Sequence, residues 1–145
     1  MYMEAKGMEM VELLPIPVLI MDERGKFIYV NREAEEAYGY GRGEFLQLFL
    51  TDLSIDEEDA AVHQKILEFS LKNKRKRRLM RRHKKKDGSI IDVDIQWSIV
   101  ELQKKTYALC CIREITEQQE VLRTYERSID LMAKIVQELS HSTEV

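Results

Sequence analysis

His63 is the side chain whose type and surroundings could do chemistry. It stands beside Val62, Ile66 and Leu67 on the helical face predicted to look inward, along with Phe69. A neutral imidazole is a good metal ligand. The alternative is a partly buried or surface histidine with a backbone partner. Cys110 and Cys111 are adjacent, so in a strand they point to opposite faces and are not placed to bridge. Free thiols fit a reducing cytoplasm, where the chain is expected to reside. No His/Cys cluster has zinc spacing, and no nucleophile elbow or Walker sequence appears, so the chain is not read as an enzyme. Gly39, Gly41 and Gly43 follow a helix, whereas a phosphate loop follows a strand and opens a helix.

Charge singles out another stretch. Of the 23 Lys and Arg residues in this 145-residue chain, eleven lie between Lys72 and Lys86, with no Asp or Glu among them. The rest holds 12 basic against 26 acidic residues, a net of −14. Such a band could bind nucleic acid, a membrane surface or an acidic protein. It has no aromatic residue for stacking on bases, so the order of expectation is solvated surface, then acidic partner, then nucleic acid. Docking on the acidic part of a second subunit is a further option.

The elements that would position these residues follow from pattern. Residues 1–14 read as an amphipathic helix with Met3, Met10, Val11 and Leu14 on one side, ended by Pro15 and Pro17. Val18–Met21 and Phe27–Val30 read as a hairpin joined by a turn containing Gly25. Asn31 suits a helix N-cap, residues 44–55 suit short helical turns, and residues 57–72 suit a longer helix. Ile91, Val93, Ile95, Trp97 and Ile99 alternate with polar residues, which predicts a strand with one buried face. Thr106–Glu114 follows as another strand. Thr116 with Gln119 fits a capping box at the start of a last helix. Antiparallel strands with helices gathered between them imply an α+β domain with helices against one sheet face. No run of about 18 uncharged apolar residues occurs, so no membrane span is expected.

The last thirty residues carry the longest pattern. Leu122, Tyr125, Ile129, Met132, Val136 and Leu139 recur at alternating steps of three and four. This heptad seam suits a helix paired with another helix. From Ile115 to Leu139 it would run about 37 Å at ~1.5 Å per residue. Homodimerisation is therefore expected, with helix 1–14 contributing, because three heptads alone are marginal.

The chain resembles the PAS sensor family. The matching pieces are Leu14, Pro17, Ile20, Asp22, Gly25 and Phe27-Ile28-Tyr29-Val30-Asn31, then Ala37-Tyr38-Gly39-Tyr40. They continue with Lys86-Asp87-Gly88-Ser89 before a long strand and Arg113-Glu114-Ile115-Thr116-Glu117 at the exit. The resemblance implies a five-stranded antiparallel sheet with helices across one face and a ligand pocket between them. It divides the chain into a flanking helix (1–14), a PAS domain (15–116) and a signalling coiled-coil helix (117–145) leading to a downstream effector. Candidate pocket residues for a small-molecule ligand are Ile95, Trp97, Ile99, Leu109 and Cys111 on the floor, with Tyr29, Phe45 and Leu67 closing it; the alternative is that these are simply core. In haem-binding, oxygen-sensing relatives the iron ligand is a histidine on this helix, four residues after an acidic one. Asp59 and His63 reproduce that spacing. Flavin-binding relatives need an Asn-Cys pair where this chain has Gly43 and Glu44, so no photochemical adduct is expected. Arg113, Glu114, Ile115 and Thr116 are the candidate relay. Glu114 stands where the family's exit motif usually has Asp, one methylene further from a salt-bridge partner. The function implied is signal sensing and relay through dimeric helices. Alternatives are the front of a sensor histidine kinase with His141 as phosphate acceptor, and a nucleic-acid-binding regulator using residues 72–86.

Overall fold

The computed structural model describes residues 5–55, 57–115 and 117–143; for residues 5–8, 57–60, 63, 117–120 and 141–143 it describes the backbone alone. The chain divides into two units, Met1–Glu114 and Ile115–Val145.

The first unit is built on a five-stranded antiparallel sheet with strand order β2-β1-β5-β4-β3. Its strands are β1 (Val18–Met21), β2 (Phe27–Val30), β3 (Arg77–Lys84), β4 (Ile90–Leu102) and β5 (Lys105–Glu114). Helix α1 (Ala5–Glu12) precedes them. Helices α2 (Arg32–Tyr38), α3 (Arg42–Phe45), α4 (Leu50–Leu53) and α5 (Glu57–Asn73) connect β2 to β3. The short β1–β2 turn is fastened by Asp22, whose carboxylate accepts from the N–H groups of Arg24 (2.9 Å) and Lys26 (3.0 Å). Gly25 in that turn has φ +78, a left-handed backbone that favours glycine, while a Cβ there would be tight only against the end of the Gln64 side chain, 3.3 Å from its Oε1. The β4–β5 turn places Gln103 (φ 50) and Lys104 (φ 66) in the left-handed region, the pair a tight hairpin needs.

Asn31 caps α2 as predicted and does more. Its Oδ1 accepts from Ala34 N–H (3.0 Å) and Val18 N–H (2.9 Å). Its Nδ2 donates to the carbonyls of Val11 (3.1 Å) and Ile16 (2.8 Å). One fully buried amide thus ties the end of α1 and the segment after it, the start of β1 and the start of α2 together.

The sheet has two apolar faces. The larger cluster lies on the helix side and includes Leu19, Met21, Val93, Ile95, Trp97, Cys110, Phe45 and Leu67. A second cluster, centred on Val18, Ile20 and Tyr107, covers the other side, and Val11 next to the end of α1 packs on it. Met10 and Leu14, predicted beside Val11, are exposed, and Met3 lies outside the described residues.

The inward stripe of α5 is displaced from the predicted one. Leu67, Ser70 and Leu71 are buried and Ile66 is partly so, whereas Val62 and Phe69 are 41% and 48% exposed. Phe69 is two residues from Leu67, about 200° around the helix at 3.6 residues per turn. Its ring instead meets the Arg77 guanidinium, 6.0 Å from its centroid.

The second unit is helix α6 (Glu117–Thr143). Among the described residues no helix is long and apolar enough to cross a membrane.

Candidate functional site

The interior between sheet and helices gathers five of the eight residues predicted to line a pocket. On β4, Ile95, Trp97 and Ile99 share the helix-facing side, as alternation requires, and pack in one cluster with Phe45 from α3 and Leu67 from α5. Leu109, Cys111 and Tyr29 do not belong there. All three pack with the second cluster, on the opposite face. The reason is register. Trp97 lies opposite Cys110, Ile99 opposite Ala108 and Ile95 opposite Ile112, so the even-numbered residues of β5 share Trp97's side. Cys110, not Cys111, is the core cysteine, and burial pushes its thiol far above the ordinary range, which makes it an inert packing group.

Trp97 Nε1 and Ser70 Oγ, both buried, have no hydrogen-bond partner. An orphaned buried donor costs about 1–3 kcal/mol, so a ligand acceptor or a water would be stabilising at either place. Pattern reading missed a buried polar pair nearby. The Tyr38 hydroxyl lies 2.8 Å from His83 Nδ1, and both residues are fully buried. Burial raises the Tyr38 hydroxyl pKa far above its usual value, keeping it protonated. The ring of Phe45 packs edge-on against Phe27, Tyr38 and Tyr40, with centroids 5.2, 5.6 and 5.7 Å away. His63 sits on α5, but its side chain, and with it the haem ligand expectation, lies outside the described residues. Among the described residues no group of His, Cys, Asp or Glu side chains has the makings of a metal site. Among the described residues, two open surface grooves are of about 490 Å³ each, and no predicted pocket residue lines either.

Tyr29 works outside the pocket. Its hydroxyl donates to Glu12 at the end of α1, and Arg42 Nη2 lies 2.8 Å from both Glu12 oxygens. The Arg42 guanidinium also stacks 5.4 Å from the Tyr29 ring centroid. Burial, with the Glu12 carboxylate beside it, pushes the Tyr29 hydroxyl pKa up to about 12. The group is a clasp holding α1 to the domain.

The exit from β5 carries a charge network that joins three strands. Asp94, on β4, is only 3% exposed. Arg78 of β3 grips it with Nε to Oδ1 at 3.0 Å and Nη2 to Oδ2 at 2.8 Å. Arg113 of β5, its direct cross-strand neighbour, adds Nη2 to Oδ2 at 2.9 Å. The Arg78 hydrogen bonds, then Arg113, hold this carboxyl below the usual range despite burial. Of the predicted relay residues, Arg113 is wired into this network. Glu114 is exposed, and the carboxylate that organises the exit is Asp94, three strands' meeting point. Thr116 lies outside the described residues.

On α6 the six seam residues are 44–65% exposed in the single chain. Read as a heptad, Leu122, Ile129 and Val136 take the a positions and Tyr125, Met132 and Leu139 the d positions. Two β-branched residues at a favour a two-stranded arrangement.

Comparison with known proteins agrees with this architecture. The PAS fold family matches residues 6–115. A PAS domain from a two-component sensor histidine kinase is 19% identical, with a TM-score of 0.65 over 75% of this chain and 93% of that one. A PAS domain from Desulfitobacterium hafniense is 21% identical, with a TM-score of 0.65 over 73% and 98%. The PAS domain of an HTR-like protein from Haloarcula marismortui is 22% identical, with a TM-score of 0.62 over 76% and 96%. No curated protein matches the chain. With its strand order, its helix-covered face and a family match spanning most of its length, the chain belongs to the PAS family and carries a signal-sensing module.

Proposed function

We propose that the chain is a dimeric sensor that passes a signal from its PAS domain to a C-terminal effector along α6. The observation that carries this reading is the exposed a/d seam, Leu122 to Leu139, beginning a few residues after the Arg113–Asp94 ion pair. Apolar residues at this spacing gain by pairing with a twin helix. A change in the helix-facing layer around Trp97 would reach the exit through β4, which carries Trp97 and Asp94 on its two faces. The input would be a small molecule offering an acceptor to Trp97 Nε1, a buried donor without a partner among the described residues. Size-exclusion chromatography with light scattering tests the dimer. Twice the chain mass is expected, falling to a monomer with Ile129→Glu and Met132→Glu together. A monomer for the unaltered chain at high concentration defeats the proposal.

A second reading has specific support. Some of the solved neighbours come from histidine kinases, among them a LOV domain of a blue-light activated one. On that reading α6 opens the kinase dimerisation segment and His141 is the phosphate acceptor. Loss of labelled phosphate from the full-length protein with His141→Gln would favour it; full labelling would exclude it.

A further inference from the structure

Strand β5 outruns β1 at one end of the sheet. β1 pairs with β5 from Val18–Cys111 to Met21–Ala108, whereas β5 continues along β4 to Lys105. Ile112 N–H donates to the Pro17 carbonyl (3.0 Å), so by alternation the even-numbered residues of β5 turn their backbone groups toward β1. Thr106 is one of these, and it stands beyond the last β1 partner. Among the described residues, neither its N–H nor its carbonyl has a partner on that side. β1 has by then entered its turn, where the Asp22 carbonyl accepts from Gly25 N–H (2.9 Å). One of the two open grooves, of about 490 Å³, is lined by both this turn and this edge, and its size suits a small molecule.

The lining carries both signs of charge. The turn supplies Asp22, Glu23 and Arg24, and the edge supplies Lys105. Among the described residues none of these four forms an ion pair, although they share one groove. Asp22 is held in place by the turn, because its Oδ1 accepts from Arg24 and Lys26 N–H. Two apolar side chains, Ile28 and Leu71, complete the lining that matters here. Ile28 is the extra residue of a bulge: Ile20 pairs with Tyr29 and Met21 with Phe27, so nothing on β1 opposes it. A simple anion would meet two carboxylates in this groove, and a simple cation would meet Arg24 and Lys105. A zwitterion with an apolar body satisfies all of these groups together.

We propose that this groove binds a free α-amino acid with an apolar side chain. Its carboxylate would accept from Thr106 N–H beside Arg24 and Lys105. Its ammonium would donate to the Thr106 carbonyl beside Asp22 and Glu23. Its side chain would lie against Ile28 and Leu71. The site is separate from the ligand contact assigned to Trp97, and either can exist without the other.

Isothermal titration calorimetry of the full chain tests this, with L-leucine, L-valine and L-phenylalanine as probes. At least one is expected to bind. Its analogues lacking the ammonium or the carboxylate should bind about tenfold more weakly or worse, the usual effect of losing a charge-assisted hydrogen bond. The N-acetyl amide, neutral at both ends, should lose at least as much. Lys105→Glu and Glu23→Lys alter exposed side chains and shift net charge in opposite directions, yet each should weaken binding by a similar factor. Lys76→Glu, exposed and not part of the groove, should leave it unchanged. No binding of any of the three amino acids, retained affinity for the N-acetyl amide, unchanged affinity in Lys105→Glu, or an equal loss in Lys76→Glu would each overturn the proposal.

Discussion

Replacing Arg78 and Arg113 together by Ala is expected to destabilise the chain by about 3–5 kcal/mol, the usual cost of leaving a buried charge without its partners. Asp94 is 3% exposed and takes four hydrogen bonds from these two guanidiniums at 2.8–3.2 Å. The two arginine side chains are themselves 56% exposed, so removing the carboxylate instead strands no buried cation. Asp94→Asn should therefore cost less, about 1–2 kcal/mol, the net worth of charge-assisted hydrogen bonds. Urea denaturation of the three proteins measures the contrast. The pH dependence has a definite sign. The Asp94 carboxyl is held below its ordinary value in the folded state, chiefly by Arg78. Its contribution is therefore full at neutral pH, above an unfolded value of about 3.9, and is lost as pH falls through the lower folded value. The advantage of the unaltered chain over the double variant should shrink below about pH 4. A constant difference across that range would show that the arginines act through packing alone.

Asn31→Ala is expected to cost about 2–4 kcal/mol, because one buried amide makes four hydrogen bonds and its loss strands backbone groups in an apolar setting. A helix N-cap alone would cost about 1 kcal/mol. The excess is the part belonging to Val18 N–H and to the carbonyls of Val11 and Ile16. Denaturation should show the larger figure. Hydrogen exchange should show faster exchange at Val18, and limited proteolysis faster cutting near residues 13–16. A loss near the simple capping value, with Val18 still protected, would assign Asn31 a local role only.

These residues also show what can be read from order alone. Hairpin β1–β2 and strand β4 were legible because β-branched and aromatic runs end at Gly25 and Gly88, and because five apolar residues alternate strictly from Ile91 to Ile99. The cap at Asn31 was legible because capping acts over three residues; its links to Val11, Ile16 and Val18 were not, being set by tertiary approach. The cysteine facing the core depended on which residue of β5 lies opposite Trp97, and cross-strand register is not written in either strand. Asp94 read as a solvent-facing residue on the polar side of β4. It is buried because Arg78 and Arg113 arrive from the two flanking strands. On α5 the apolar letters Val62 and Phe69 misled, since small displacements around a helix turn a side chain outward.

The relay stands or falls on whether α6 meets its own twin in parallel register. Disulfide crosslinking reads this directly, with single cysteines introduced into the Cys111→Ala chain; Cys110 is buried and stays. Ile129→Cys and Met132→Cys, on the seam, are predicted to form covalent dimers rapidly under mild oxidation, and Lys134→Cys, on the outer side of the helix, is not. Equal crosslinking at all three positions, or none at 129 and 132, would contradict the account.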